Sequence, residues 1–179
     1  MIDVDAVKQW VLDFVEMPHP DFNGKPICPF AKTARKLGKV NFIEFKDEWP
    51  DEEIANQILA MDLSKHDMTL LVCSKDRWSE EQTFRTALKY EKLGVENNIL
   101  LEHSHPDTPW MMGNLNTVYQ HNIIIWLQNF EQAALSVIAL KKTNYYELFD
   151  METEFYSEKD FDTRVSIYRK EMLEKYNEE

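Results

Sequence analysis

The chain has 179 residues, of which 44% are hydrophobic, so it is long enough to bury a core of its own. Its 32 acidic residues outnumber its 20 basic ones and give a formal net charge of -12, which disfavours general binding to nucleic acids or to anionic membranes. The two cysteines, Cys28 and Cys73, lie far apart, and the N-terminus shows no basic, hydrophobic leader. This pattern predicts a reduced, cytoplasmic protein.

The N-terminal segment, residues 4–17, predicts an amphipathic helix. Its apolar residues follow the spacing of one helical face: Val7, Trp10, Val11, Phe14 and Val15. The sequence PHPDFNGKP then breaks the helix, because prolines and glycine do not sustain regular structure. A short helix is expected over residues 29–37, since proline suits the first helical position and Gly38 suits the end.

Three short apolar segments predict strands: VNFIEF, MTLLVC and NILLEH, at residues 40–45, 68–73 and 98–103. The segments between them, PDEEIANQILAM and SEEQTFRTALKYEKLG, have helical spacing. Ser79 and Gln82 form a capping-box start for the second helix, which we expect Gly94 to end. The alternation predicts an α/β or α+β fold with a small three-stranded or larger sheet flanked by helices.

The C-terminal third is expected to be mainly helical. The run IIIWLQNFEQAALSVIAL, residues 123–140, contains polar residues near its middle that interrupt the apolar run of a membrane-spanning helix. It predicts a buried core helix within a long or broken helix over residues 115–142. An acidic aromatic segment follows, and residues 161–176 predict a final helix.

These elements predict a single domain over residues 1–179. Its α/β part covers residues 1–112, and its helical part covers residues 113–179 and packs on the first. No repeat or linker divides the chain, and the sequence leaves the oligomeric state open.

Cys28 is a candidate functional residue because it stands where a loop becomes a helix. Backbone N–H groups and the dipole at a helix start stabilise a thiolate, the form that attacks electrophiles or binds metal. Lys32 and Arg35, on the same helix, are candidate substrate-binding residues for an anion beside the thiol. The alternative is a buried cysteine that merely begins a helix.

The sequence HSHPD supplies candidate partners for this thiol. If the strands are parallel, Cys73 and His103 fall at their carboxyl ends, the edge where open α/β sheets bind ligands. The start of the Cys28 helix would lie above the same edge, and His105 or His103 would then transfer protons. Asp107 is a further candidate substrate-binding residue. Antiparallel pairing would instead send Cys73 and His103 to opposite edges.

Three functions follow from these residues. The first is a thiol-dependent enzyme that carries out transfer, hydrolysis or redox chemistry on a small molecule. The second is a metal- or ligand-binding module without turnover, in which a transition metal such as zinc would be bound by Cys28, Cys73, His103 and His105. The third is a protein-interaction module that recruits a partner through the acidic, aromatic C-terminal third.

Several short motifs follow one another in a recognisable order: Trp10 in the first helix, CPFAKTARKLGKVNF, MTLLV, and SHPDTPWMMGN. In this order and spacing, over about residues 7–114, the chain resembles the bacterial domain-of-unknown-function family 1415. The resemblance implies that Cys28 and His105 are the positions to examine, with Arg35 third, and it implies no reaction. Family members continue with an Asn- and Pro-rich, Arg-containing segment, whereas this chain continues with NLNTVYQHNIIIWLQ.

A second, local resemblance concerns KPICPFAKTARKL. It resembles the active-site helix of a glutaredoxin in which Ala31 replaces the second cysteine. No strand is predicted before Cys28, as the thioredoxin fold requires, and the resolving cysteine is missing.

Overall fold

The structure is a computed structural model that describes residues 2–112, 115–143 and 145. These residues form a mixed α/β fold, which confirms the predicted class. The chain divides into two compact units, Met1–Gln132 and Ala133–Glu179. The predicted final helix and most of the acidic aromatic segment lie outside the described residues.

A four-stranded sheet forms the centre of the first unit. Its strands are β3 (Val40–Phe45), β4 (Met68–Ser74), β5 (Ile99–Ser104) and β8 (Asn122–Asn129), in the order β3-β4-β8-β5. Strands β3 and β4 are parallel, and β8 is antiparallel to both of its neighbours, β4 and β5. The three strands predicted from the sequence therefore point the same way, and their carboxyl ends share one edge.

Strand β8 shows that the predicted helix over residues 115–142, with its core segment 123–140, was wrong. The three isoleucines at residues 123–125 are completely buried between β4 and β5, with side chains on both faces of the sheet. A strand buried on both faces gives a continuous apolar run instead of alternation, and β-branched residues favour the extended backbone. Only α5 (Phe130–Lys141) is helical, and the Asn129 side chain accepts an N–H group at its start.

Helices cover both faces of the sheet. On one face, α3 (Glu53–Ala60) and α4 (Glu80–Glu96) share a core with Phe45, Leu71, Cys73, Leu101, Ile123 and Ile125. On the other face, α1 (Val4–Trp10) packs through Val7 against Leu70, Val72 and Ile124. None of the described helices is long and apolar enough to cross a membrane.

A hairpin and a short helix connect α1 to the sheet. A π-helical turn, Val11–Val15, continues α1, and strands β1 (Pro18–His19) and β2 (Lys25–Pro26) pair in the segment predicted to be irregular. Helix α2 (Ala31–Lys36) follows, and Gly38 ends it with a φ of +68°. Beyond β5, β6 (Met111–Met112) and β7 (Leu115–Asn116) form a second antiparallel pair.

Helix α4 begins as predicted but ends later. The Ser79 hydroxyl accepts the N–H of Gln82, and the Gln82 side chain accepts the N–H of Ser79. The helix continues past Gly94, where a Cβ atom would lie 2.8 Å from the carbonyl oxygen of Ile99. Glycine is therefore needed at this position for the close approach of β5. The residue with a left-handed backbone conformation beyond the helix is Asn98, with a φ of +58°.

Candidate functional site

His105 is buried, and both of its ring nitrogens are occupied. Its Nε2 donates to the carbonyl oxygen of Trp78 at 3.0 Å, and its Nδ1 accepts the backbone N–H of Asp107 at 3.2 Å. Because a backbone N–H can only donate, Nδ1 is the unprotonated nitrogen and Nε2 carries the hydrogen. His105 thus ties the loop after β5 to the loop after β4, and it has no nitrogen left for proton transfer.

His103 lies on the face of the sheet that α4 covers. Its ring centroid is 5.8 Å from that of Phe84. Burial, assisted by the nearby His105 and opposed by the carboxylate of Glu80, lowers the pKa of His103 to about 4. The imidazole is therefore uncharged at neutral pH.

Cys73 lies at the carboxyl end of β4 and is completely buried. Burial raises the pKa of its thiol to about 12. Its sulfur donates a long hydrogen bond of 3.9 Å to the carbonyl oxygen of Leu71. A thiol that is protonated and shielded in this way packs as a small apolar side chain.

Cys28 lies away from this edge of the sheet. Ile2, just before α1, lines a groove at the carboxyl end of β3 together with Lys46. The backbone N–H of Cys28 instead donates to the carbonyl oxygen of Val15, at 3.3 Å. Val15 follows Ile2 by 13 residues, which corresponds to roughly 15–20 Å along the helix at about 1.5 Å per residue. The structure therefore does not place Cys28 beside His103 and His105.

A carboxylate is the group that lies beside Cys28. The hairpin pairs Pro18 with Pro26, and beyond this pair the N–H of Cys28 donates to the carbonyl oxygen of Val15, the residue before Glu16. The turn at residues 23–24 has two positive φ angles, of 51° and 73°, which allow the tight reversal. Glu16 is close enough to act electrostatically on the Cys28 thiol.

Glu16 forms a bidentate ion pair with Arg35 of α2. The Nε atom of Arg35 lies 2.5 Å from Oε1 of Glu16, and Nη2 lies 2.9 Å from Oε2. The side chain of Glu16 is only 4% exposed, whereas that of Arg35 is 34% exposed. A buried carboxylate is thus neutralised by a guanidinium group whose other edge reaches solvent.

Opposing influences act on the thiol of Cys28. Burial raises its pKa, the N–H groups of Phe30 and Ala31 lower it through hydrogen bonds to the sulfur, and the Glu16 carboxylate raises it further. The net pKa is raised, so the thiol is protonated at neutral pH. The stabilisation expected from the helix start is present, but burial outweighs it.

The remaining candidates do not gather around one centre. Lys32 is exposed on α2, and Asp107 has a side chain 88% exposed on the distant loop. Among the described residues, no group of three or more His, Cys, Asp or Glu side chains could bind a metal ion. The set of Cys28, Cys73, His103 and His105 is therefore not brought together as a zinc site.

Glu16 is the site residue that the sequence reasoning missed. The Asn-Gly pair at residues 23–24 is a hairpin signal. Read as a hairpin turn, this pair would have indicated that the chain on its two sides comes together, so that the segment of Cys28 returns to the end of the first helix.

The fold and the site define a mixed α/β protein with a thiol, a carboxylate and a guanidinium group in one cluster. Neither a family model, nor a curated protein, nor a solved structure matches the chain. The resemblance to family 1415 stays a prediction.

Proposed function

We propose that this chain is a thiol-dependent enzyme that acts on a small molecule through Cys28, with Glu16 in the role that the sequence assigned to a histidine. The supporting observation is the cluster in which the Cys28 thiol lies within electrostatic reach of the buried Glu16, which is paired with Arg35. Carboxylates are rarely buried without a specific reason. The adjacent π-helical turn, Val11–Val15, is a feature frequent at functional sites.

The cluster supports a nucleophilic step that the substrate sets in motion. Sulfur forms a bond to an electrophilic atom of the substrate, the bond to the leaving group breaks, and the thiol proton passes to Glu16. The N–H groups of Phe30 and Ala31 stabilise the charge that develops on sulfur. Transfer, hydrolysis and thiol redox chemistry all begin with such an attack.

p-Nitrophenyl acetate tests the proposal, because attack by a nucleophile releases coloured p-nitrophenolate and leaves an acetyl group. We expect acetylation of Cys28, located by mass spectrometry, and loss of this adduct in Cys28→Ser. Cys73→Ser is the matched control and should keep the adduct, because Cys73 is completely buried. Equal p-nitrophenolate release by Cys28→Ser and the unsubstituted chain would rule the proposal out.

Ligand binding without turnover is the second candidate function. It is favoured by the raised pKa of Cys28, which keeps the thiol protonated at rest. The same assay separates the two candidates: an enzyme releases p-nitrophenolate beyond one equivalent, whereas a binding module stops at or below one. The interaction-module alternative depends largely on residues outside those described.

The cytoplasmic location is also part of the proposal. Cys28 and Cys73 are both free thiols in the structure, in keeping with a reducing compartment. The net charge of -12 supports the expectation of a small-molecule partner instead of a nucleic acid.

A further inference from the structure

We infer that the substrate carries an anionic group, and that this group activates Cys28 by drawing Arg35 away from Glu16. The inference rests on the proposed function and extends it to a class of substrate and a means of activation. In the resting state the ion pair then acts as an internal block on the site.

Arg35 is arranged so that it can change partners. Its Nε and Nη2 atoms bind Glu16, whereas Nη1 has no partner among the described residues. The Arg35 side chain is 34% exposed and that of Glu16 is 4% exposed. An anion arriving from solvent therefore reaches the guanidinium without unfolding the hairpin, while Glu16 stays buried.

The charge around Arg35 favours an anion. Residues 24–40 contain five cationic side chains and no acidic one, in a chain whose net charge is -12. Two of these cations, Lys32 and Lys36, are exposed on α2 within one helical turn of Arg35. An excess of cationic side chains concentrates ligands of the opposite sign.

The exchange of partners prepares Glu16 to act on the thiol. Once Arg35 turns to the anion, both carboxylate oxygens of Glu16 lose the hydrogen bonds that Arg35 donates, so Glu16 is then able to accept the proton of Cys28. Binding of the anion and deprotonation of sulfur are thereby coupled. A neutral electrophile lacks the group that breaks the ion pair, so it reacts with Cys28 as well, but more slowly than an anionic one.

Two alkylating reagents with the same leaving group provide the test. Iodoacetate and iodoacetamide both form an S–C bond and release iodide, but only iodoacetate carries a charge. Rate constants at Cys28 are measured on the full chain by mass spectrometry, and the ratio of iodoacetate to iodoacetamide is compared with that of N-acetylcysteine. We expect the ratio at Cys28 to be at least about tenfold higher, the effect of one strong charged contact.

Variants assign the preference to the ion pair. Arg35→Gln should bring the ratio down to that of N-acetylcysteine. Arg85→Gln breaks the exposed pair between Arg85 and Glu81 and should leave the ratio unchanged. Arg35→Lys, which keeps the charge but not the bidentate contact, should retain part of the preference.

Inorganic phosphate gives a second measurement on the unsubstituted chain, which decides the matter if Arg35→Gln does not fold. Phosphate should lower the rate of the iodoacetate reaction at Cys28 by competing for Arg35, and it should raise the rate of the iodoacetamide reaction by releasing Glu16. The same ratio in the unsubstituted chain and Arg35→Gln, or phosphate without effect on either reagent, would overturn the inference. Absence of any reaction at Cys28 with both reagents would instead overturn the proposed function.

Discussion

Replacing His105 by alanine separates a structural role from a catalytic one. The substitution removes the buried hydrogen bond from Nε2 to the carbonyl oxygen of Trp78, and an unsatisfied buried carbonyl costs about 1–3 kcal/mol. Loss of the buried ring costs about 1–2 kcal/mol more in contacts and cavity. Asp107 is exposed, so its N–H turns to water. We expect the free energy of unfolding to fall by about 2–5 kcal/mol.

Urea unfolding followed by tryptophan fluorescence measures this change. His66→Ala is the matched control, because His66 lies in a loop and donates only its backbone N–H to Asp62. This substitution should change the free energy of unfolding by no more than about 0.5 kcal/mol. Labelling of Cys28 in folded His105→Ala gives the second measurement. It should keep the rate of the unsubstituted chain.

Two results would refute this reasoning. A decrease in stability below about 1 kcal/mol would show that His105 does not hold the two loops together. Loss of labelling at Cys28 in a folded His105→Ala chain would show that His105 takes part in the chemistry of the thiol.

Three further predictions concern pH and packing. The pKa of His103 is lowered to about 4 from an ordinary 6.5, so its imidazole should titrate near the lower value by NMR, and a midpoint near 6.5 would contradict the burial. Because the unfolded state takes up this proton first, the free energy of unfolding should decrease as the pH falls from 6.5 to about 4. Gly94→Ala should lower the free energy of unfolding by about 1–3 kcal/mol in thermal denaturation, because the new Cβ would meet the Ile99 carbonyl at 2.8 Å. Alanine ordinarily stabilises a helix by about 1 kcal/mol, so a gain in stability would disprove the close approach. The pKa of Asp62 is lowered to about 2, chiefly by the Ser64 hydroxyl, so in Ser64→Ala the carboxyl signal should titrate closer to 3.8, and an unchanged midpoint would exclude that cause.

Local signals in the sequence account for the elements that were predicted correctly. The capping box at Ser79 fixes the start of α4 through bonds within one turn. Strands β3, β4 and β5 are bounded by turns and lie between helices of clear periodicity. Each of these features depends on neighbours in the chain, so no tertiary information is needed.

The errors arose where partners are distant in sequence. Strand β8 is apolar on both sides only because β4 and β5 flank it, and nothing within residues 122–129 specifies those neighbours. Gly94 is a residue type that commonly ends a helix, but here its missing Cβ allows β5 to pack closely against the helix. In both cases tertiary packing decided between two local conformations that the pattern allowed.

The roles of the candidate site residues stay predictions. Cys28, Arg35 and Lys32 were named from the charge and position of one short helix, and the structure places Lys32 and Arg35 on α2, with Cys28 three residues before it. One of their expected histidine partners, His105, is instead hydrogen-bonded to the backbone of Trp78 and Asp107. Glu16, the carboxylate beside Cys28, lies just before a hairpin that brings the segment of Cys28 back to it, so the sequence separation of the two residues conceals their proximity.

The position of β8 has a consequence for how the chain is assembled. Helix α4 joins β4 to β5, yet these two strands are not neighbours, because a strand from later in the chain lies between them. During synthesis both strands expose unpaired edges until residues 122–129 have left the ribosome. The sheet therefore closes in one late step that depends on long-range contacts, and such contacts slow folding.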